Sequence, residues 1–227
     1  MDNTQKLIEL FKEFPGIGPR QAKRFVYFLL NRNPAYASDL AKLISEVRGT
    51  VHTCDTCFRF FPNTTSTTCS ICSDSTRDKK SLMLVSNDVD FENIEKTKFY
   101  NGYYFILGGT IPILEKNPEK RIRQKELFEI LPKKIKEGLS EIIIALNYNP
   151  EGENTLSYLK ELLKPFTETD KPASAFGRTE LASDRTKSAK ATAGTVKIST
   201  LGRGLSTGTE LEYSDSDTIK NALKNRQ

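Results

Sequence analysis

In the stretch Glu141-Ile-Ile-Ile-Ala-Leu146, residues 142–146 form an uninterrupted apolar run, which predicts a strand that is buried on both faces. Two other short runs, 82–85 and 103–107, have the same character. Helical patterns lie between and after these runs, at roughly 91–100, 119–138 (where Pro132 is expected to interrupt the helix) and 154–163. Because strands alternate with helices, we predict an α/β domain with a mostly parallel sheet covered on its faces.

The residues before this α/β region predict a small helical unit. Apolar side chains recur at helical spacing over 5–13, 19–30 and 36–48. Pro19 suits the first position of the second helix, where its missing N–H costs nothing. Residues 14–19, Phe-Pro-Gly-Ile-Gly-Pro, break the chain between the first two helices. We assign residues 1–50 to this unit.

The four cysteines predict a metal centre in the segment 51–77. Their pattern is Cys54-x2-Cys57-x11-Cys69-x2-Cys72. Each C-x-x-C pair donates two thiolates, and four thiolates complete the tetrahedral shell of Zn²⁺. Since no coordination position stays open, we predict one structural zinc ion per chain, holding a segment that lacks a core of its own. A redox pair, disulfides or free thiols are the alternatives, and His52 is an alternative ligand to one cysteine.

The turn between the first two helices has the composition of a phosphate-binding site. Gly16 and Gly18 let backbone N–H groups face outward at the start of the second helix. Arg20, Lys23 and Arg24 follow on the first turns of that helix, where they would neutralise DNA phosphates. This is a helix-hairpin-helix pattern, which contacts the DNA backbone without sequence preference. The alternative is an ordinary turn between two helices with solvated basic residues.

A third group of polar residues follows two of the predicted strands. Its members are Asp88 and Asp90 after the first strand, and Asn147, Asn149, Glu151 and Glu153 after 141–146. The carboxyl ends of parallel strands meet at one edge of a sheet, so these side chains would converge there and could hold Mg²⁺. The alternative is that they are solvated or cap helices. Glu153 would then cap a helix that begins near residue 154.

Two glycine-rich stretches and one polar stretch carry weaker signals. Gly108-Gly109 is either an anion cradle or a turn, and residues 202–208 lack the Gly-Lys-Ser/Thr ending of a P-loop. Residues 168–195 contain few large apolar side chains and predict a mobile insertion. The rest, 196–227, is expected to complete the fold, with strands at 196–201 and 210–213 and a helix at 216–225.

Composition limits the class of protein. Lys and Arg number 34 against 29 Asp and Glu, and the resulting charge of +5 is compatible with nucleic-acid binding. The longest apolar run, 25–30, is far too short to cross a bilayer, and the N-terminus lacks the pattern of a signal peptide. We therefore expect a cytoplasmic protein that does not bind membranes. The single histidine, His52, excludes mechanisms that need two.

Taken in order, these motifs resemble the RecR family of bacterial recombination mediators. The matching stretches span nearly the whole chain: Leu7-Ile-Glu-Leu-Phe-Lys-Glu-Phe-Pro-Gly-Ile-Gly-Pro-Arg20, the four-cysteine segment with Arg77-Asp78, Leu107-Gly-Gly109, Ala145-Leu-Asn-Tyr-Asn-Pro-Glu-Gly-Glu-Asn-Thr155, Gly202-Arg-Gly-Leu-Ser-Thr-Gly-Thr-Glu-Leu-Glu-Tyr213 and Asp215-Ser-Asp-Thr-Ile-Lys-Asn-Ala-Leu223. The resemblance implies an N-terminal helix-hairpin-helix, a C4 zinc finger, a Toprim domain over 78–167 and a C-terminal element used in assembly.

The resemblance also implies a function. Members of the family are DNA-repair proteins rather than established enzymes; they act in the cytoplasm at the nucleoid, on duplex DNA and on gapped or single-stranded junctions. They form dimers or tetrameric rings and associate with RecO and RecF, so that RecA is loaded at single-strand gaps. Carried over by position, Arg20 and Arg24 match the DNA-contacting helix, the four cysteines match the zinc ligands, and Glu151 and Glu153 match the partner-binding motif.

This chain departs from the family pattern in two places. The family usually has a Glu directly after the first Toprim strand, the general acid/base of Toprim enzymes, where this chain has Ser86, whose hydroxyl titrates far too high for that role. Asn147 and Asn149 stand where those enzymes have metal-binding aspartates. We therefore expect no catalytic residues; the alternatives are a Mg²⁺-dependent Toprim nuclease or topoisomerase-like enzyme and a pure interaction scaffold. The second departure is the insertion, 168–195, which the family mostly lacks.

Overall fold

The computed structural model describes residues 1–62, 65–167, 196–201, 211 and 216–225. The chain divides into two compact units, Met1–His52 and Thr53–Gln227. None of the described helices is both long enough and apolar enough to cross a membrane. The predicted insertion, 168–195, and the glycine-rich stretch, 202–208, lie outside the described residues, as does the predicted strand 210–213 apart from Leu211.

Three helices form the first unit, as the sequence predicts: α1 (Asn3–Lys12), α2 (Pro19–Leu30) and α3 (Pro34–Thr50). Helix α3 begins two residues earlier than expected, because the Asn33 side chain accepts a hydrogen bond from the N–H of Ala35 (3.0 Å) and Pro34 takes the first helical position. A small core of Ile8, Ala22 and Val26 joins α1 to α2.

A parallel four-stranded sheet forms the centre of the second unit, and it confirms the predicted fold class. Its strands are β3 (Asp78–Val85), β4 (Gly102–Ile106), β5 (Glu141–Ala145) and β6 (Lys197–Thr200), in the order β4-β3-β5-β6. The register pairs Leu82 with Tyr103 on one side and with Ile142 on the other. Strand β4 is therefore an edge strand.

Helices cover both faces of this sheet, which explains why its strands are apolar throughout. On one face, Leu84 and Ile144 pack with residues of α6 (Gln124–Lys136) and α7 (Pro150–Thr167). On the other face, Met83 and Ile143 pack with residues of α5 (Asp88–Lys96) and α8 (Ser216–Lys224). The alternation of neighbouring strand residues between the two cores is the two-residue period of a strand.

The boundaries of α5, α6 and α7 differ from the expected ones. Helix α5 begins at Asp88 because Asn87 caps it, and it ends at Lys96, two residues before Lys98 adopts a left-handed φ of 54°. Helix α7 begins at Pro150 rather than near residue 154. Helix α6 runs through Pro132 without interruption and is preceded by a 3-10 turn, Pro118–Lys120.

The cysteine segment contributes only short elements to the second unit. They are β1 (Val51–Thr53), which spans the boundary between the units, β2 (Phe60–Pro62) and the single-turn helix α4 (Ser70–Ser73). Its described core consists of Phe61 and buried cysteine side chains, with Ile71 packed against them. Burial alone is thus too small to hold this segment together.

Candidate metal centre, helical turn and acidic surface

Two cysteine knuckles bring four sulfur atoms together. In the first knuckle, the N–H of Phe58 donates to the carbonyl of Cys54 (2.9 Å), and Phe58 itself has a left-handed φ of 62°. In the second, the N–H of Cys69 donates to the sulfur of Cys54 (3.3 Å). The four Sγ atoms of Cys54, Cys57, Cys69 and Cys72 all lie within 4.8 Å of one another.

This geometry fits a tetrahedral metal ion. Zinc–sulfur bonds of about 2.3 Å require sulfur–sulfur distances of about 3.8 Å, and the Sγ atoms of Cys57 and Cys69 are 3.6 Å apart. A metal ion would bind these four sulfur atoms as thiolates. Among the described residues these cysteines are the only group of three or more candidate ligands, and exposed His52 is not part of it.

The metal centre is attached to the edge of the sheet. The N–H of Ile106, at the end of β4, donates to the carbonyl of Cys57 (2.8 Å). The ring of Phe58 lies edge-on to that of Phe105, with centroids 5.4 Å apart. The guanidinium of Arg123 lies over the Phe58 ring and donates to the carbonyl of Ile106 (2.9 Å). The cysteine segment and β4 therefore form one structure.

A buried arginine makes a second attachment between this segment and the sheet. Arg77 forms an ion pair with Glu95 of α5 and donates to the carbonyl of Gly102, the first residue of β4 (3.0 Å). The hydroxyl of Tyr104 donates to the same Glu95 carboxylate (2.9 Å). The hydroxyl of Tyr103 donates to the carbonyl of Asp74 (2.9 Å). The cysteine segment therefore holds the start of β4 through these contacts and its end through the hydrogen bond from Ile106 to Cys57.

The turn between α1 and α2 has the open geometry that the sequence predicts. Gly16 has a left-handed φ of 75°, and a Cβ added at Gly16 or Gly18 would meet no atom within 4 Å. Gly18 is the N-cap of α2 and provides no side-chain cap, so the first N–H groups of this helix have no side chain in front of them. The basic side chains that follow are all exposed: Arg20, Lys23 and Arg24.

The acidic residues after β3 are engaged in hydrogen bonds within the protein. Asp90 is buried and accepts a hydrogen bond from the hydroxyl of Ser86, itself buried just beyond the strand. Asp88 accepts a hydrogen bond from the N–H of Phe60 (2.8 Å) in the cysteine segment. Burial raises the pKa of Asp88, although the charges of Arg123 and Arg59 act in the opposite direction. Each carboxylate thus has a structural partner.

The residues after β5 start a helix and support a loop. The side chain of Asn149 caps α7 by accepting from the N–H of Gly152 (2.8 Å), so Glu153 lies inside the first turn and does not cap the helix. Asn147 accepts from the N–H of Leu211 (2.7 Å). Exposed Glu151 accepts from the hydroxyl of Thr110 (3.1 Å). The expected convergence of Asp88, Asp90, Glu151 and Glu153 on one cation is not found.

Two contributors to this region were not identified from the sequence. A Cβ on Gly152 would lie 1.9 Å from the carbonyl oxygen of Asn147, so only glycine fits at this position. Thr155 is fully buried, accepts from the N–H of Ile111 (2.8 Å) and donates to the carbonyl of Glu151 (2.7 Å). The glycine between two glutamates was the only available signal.

Gly108 and Gly109 have φ values of 90° and 158° and form a turn beside Arg123.

Comparison with known proteins agrees with this architecture. Family models described as "RecR, helix-hairpin-helix", "Toprim domain" and "RecR, C-terminal" match residues 4–48, 80–170 and 204–227. The chain is 33% identical over 225 residues to the recombination protein RecR of Bifidobacterium longum subsp. infantis, an alignment that covers 98% of this chain and 94% of that protein. The RecR protein of Bifidobacterium animalis subsp. lactis gives the same values. The chain therefore belongs to the RecR family of recombination proteins.

Proposed function

We propose that this chain is a non-enzymatic mediator of recombinational DNA repair, which binds DNA and promotes RecA loading at single-strand gaps on chromosomal DNA in the cytoplasm. The observation that carries the proposal is the open α1–α2 turn. Its glycines leave the start of α2 accessible, and Arg20, Lys23 and Arg24 lie exposed beside it. A helix start with free N–H groups and nearby cations can bind the phosphate oxygens of DNA whatever its base sequence.

The metal in this proposal is one structural Zn²⁺ ion per chain. Four thiolates favour zinc over oxygen-seeking cations and leave no position open for water or substrate. The bonds from the cysteine segment to β4 support a structural role, because they would let the ion stabilise the edge of the sheet as well as its own loop.

The acidic start of α7 is the proposed surface for partner proteins of the RecO type, and for RecF where it is present. Glu151 and Glu153 are exposed in the first turn of the helix, whose dipole stabilises them there. Two exposed carboxylates repel DNA phosphates but attract a basic protein surface. The DNA-binding and partner-binding functions would then lie on different elements.

The contacts around Ser86 support a non-catalytic Toprim domain. A serine hydroxyl cannot act as a general acid or base near neutral pH. Asp90 is buried against Ser86, and Asp88 is occupied by the N–H of Phe60. The Toprim nuclease or topoisomerase-like enzyme is therefore the weaker candidate.

We further propose that the chain is a homo-oligomer in which α3 forms one contact, in addition to the C-terminal element that the family resemblance implies. This helix contains no buried residue, and its aliphatic side chains Leu43, Ile44 and Val47 are more than half exposed. A stripe of aliphatic side chains on an amphipathic helix is normally covered. A second copy of the chain would supply the matching face and extend the assembly towards a dimer or ring.

One gel experiment tests the mediator against the enzyme. Gapped circular DNA is incubated with Mg²⁺ and increasing amounts of zinc-loaded protein, and both retardation and strand integrity are examined. We expect retarded, intact DNA. Nicks that EDTA abolishes and that the Glu151→Gln variant cannot make would establish the enzyme instead. Absence of both retardation and nicking would favour the interaction scaffold, and adding RecO to the same reaction would then test binding through a partner.

A further inference from the structure

The loop after β4 presents two large apolar side chains to solvent. Leu114 is 91% exposed and Ile113 is 63% exposed, and the two are adjacent in the middle of the loop between β4 and the 3-10 turn. We call residues 112–114 the apolar tip. Single exposed apolar residues are common on protein surfaces, but adjacent aliphatic residues at such exposure on a loop are typical of contact sites.

The apolar tip is held in place by hydrogen bonds from two sides. The amide of Asn154, in α7, donates to the carbonyls of Ile111 (3.0 Å) and Pro112 (3.3 Å). Beyond the tip, the N–H of Glu115 donates to the carbonyl of Pro112 (3.1 Å), and the Glu115 carboxylate forms an ion pair with Arg121. A partner that contacts this loop would therefore lose little conformational entropy in the loop itself.

The apolar tip is continuous with the acidic start of α7. The Thr110 hydroxyl donates to Glu151, and the N–H of Ile111 donates to the hydroxyl of Thr155, one turn further along the helix. The exposed carboxylates of Glu151 and Glu153 thus lie on the helix that supports the loop. Apolar anchors beside charged residues are the usual composition of a specific protein interface.

We propose that the apolar tip is the hydrophobic anchor of the partner-binding surface, and that the partner segment carries apolar side chains flanked by Lys or Arg. The apolar side chains pack on Ile113 and Leu114, while the cations pair with Glu151 and Glu153. This inference rests on the proposed role of the two glutamates. In this inference the apolar tip provides most of the binding affinity. The two carboxylates provide the electrostatic attraction of the basic partner and make the binding depend on salt concentration.

The test measures binding of the full-length chain to purified RecO from the same organism by biolayer interferometry at two salt concentrations. The variants are Ile113→Ser/Leu114→Ser, Ile113→Val/Leu114→Met and Glu151→Gln/Glu153→Gln. Val89→Ser is the matched control, because Val89 is an exposed aliphatic residue (47%) on a different element, α5. We expect the serine pair to weaken binding about 30-fold without changing its salt dependence. The conservative pair and Val89→Ser should bind as the wild type does.

The outcomes separate the two proposals. If the glutamine pair weakens binding and flattens its salt dependence while the serine pair binds normally, the partner surface stands and the anchor is overturned. If the glutamine pair binds normally, the proposed partner surface itself is wrong, and so is the inference. Sedimentation velocity tests whether the apolar tip binds a second copy of the chain instead. If Ile113→Ser/Leu114→Ser dissociates the oligomer, the tip is a contact between copies, and the inference is overturned.

Discussion

The N–H of Ile106 donates a 2.8 Å hydrogen bond to the carbonyl of Cys57, which joins the metal-binding segment to the edge of the central sheet. Edge strands expose unpaired backbone groups that invite pairing with other chains. Here the cysteine segment covers β4 at its end through Cys57 and at its beginning through Arg77, which binds the carbonyl of Gly102. The cysteine segment therefore covers part of the exposed edge of the sheet.

The first prediction concerns loss of the metal. Cys57→Ser removes one of four ligands and the geometry that presents the Cys57 carbonyl to β4. We expect metal content to fall from about one zinc per chain to near zero by mass spectrometry. We also expect the free energy of unfolding to fall by more than about 4 kcal/mol, with a decrease in Tm of at least about 8 °C.

The matched control is Ser75→Ala, an exposed serine in the same segment. It should retain zinc and unfold as the wild type does. If Cys57→Ser loses the metal but its Tm does not change, the metal stabilises only its own loop. The hydrogen bond from Ile106 to Cys57 then contributes nothing measurable to the stability of the sheet.

The second prediction concerns Asp88. At pH 7, Asp88→Ala removes the acceptor for the N–H of Phe60 and should decrease stability by about 1 kcal/mol, or about 2–4 °C in Tm. Asp88→Asn keeps an acceptor oxygen and should lose less. Urea unfolding of the three proteins at pH 7 measures these differences.

The pH dependence gives this prediction a sign. Burial raises the pKa of Asp88, so the folded chain binds this proton more tightly than the unfolded chain. The contribution of Asp88 to stability should therefore decrease as pH rises from about 3.9, the ordinary value for Asp, through its folded pKa. The Asp88→Asn variant lacks this decrease. The test compares the free energy of unfolding of the wild type with that of Asp88→Asn over this pH interval. If the wild type instead gains stability relative to the variant as pH rises, the pKa of Asp88 is not raised by folding.

The apolar runs were sufficient to predict the sheet because strands buried on both faces are apolar throughout. Similarly, Pro19 marked the first residue of α2 correctly. The predicted starts of α5 and α7 are later than the observed ones, because the first turn of each helix is largely polar and shows no apolar period. In the structure, Asn87 and Asn149 cap the two helices, and the acidic residues that follow stabilise the helix dipoles.

The attachment of the cysteine segment to β4 could not be predicted from the sequence. It depends on a backbone N–H and a backbone carbonyl, Ile106 and Cys57, which carry no signal in residue type. The roles of Phe58 and Arg123 are similar, since a ring contact across 65 positions leaves no local pattern. By contrast, the four thiol ligands were predictable because the metal requires one residue type at fixed spacing.

The third prediction compares two glycines. Gly152→Ala places a Cβ 1.9 Å from the carbonyl oxygen of Asn147, so the start of α7 must move. We expect destabilisation by about 3 kcal/mol or more. Gly49→Ala, in α3, meets open space and should stabilise the chain by up to about 1 kcal/mol. Chemical unfolding measures both, and a tolerated Gly152→Ala would contradict the close approach.

The fourth prediction concerns assembly through α3. Ile44→Asp introduces a charge into the exposed aliphatic stripe and should shift sedimentation from oligomer to a smaller species, because burying an unpaired charge in the interface is unfavourable. Ser45→Asp is the control, because it introduces the same charge at an exposed position of the same helix, outside the aliphatic stripe. An unchanged sedimentation coefficient for Ile44→Asp would place the interface elsewhere.

The last prediction concerns the DNA contacts. If Arg20 and Arg24 each neutralise a phosphate, the Arg20→Ala/Arg24→Ala pair should reduce the slope of log affinity against log salt by about 1.8 on duplex DNA. Lys42→Ala/Arg48→Ala removes the same charge from exposed positions on α3 and should lower affinity slightly with little change in slope. Fluorescence anisotropy over a salt series distinguishes a local contact from a general effect of net charge.

Gly18→Ala separates the geometry of the turn from its charge. The added methyl group meets no protein atom within 4 Å, so the melting temperature should fall by no more than about 3 °C, the effect of Ala at a helix N-cap. It would stand in front of the N–H groups at the start of α2, where a phosphate would bind, and should weaken DNA binding about 10-fold because that hydrogen bonding is lost. If Gly18→Ala leaves the DNA affinity unchanged while Arg20→Ala/Arg24→Ala reduces the salt slope, α2 contacts DNA through its side chains alone. If neither variant affects binding, the turn is structural and the DNA site lies elsewhere.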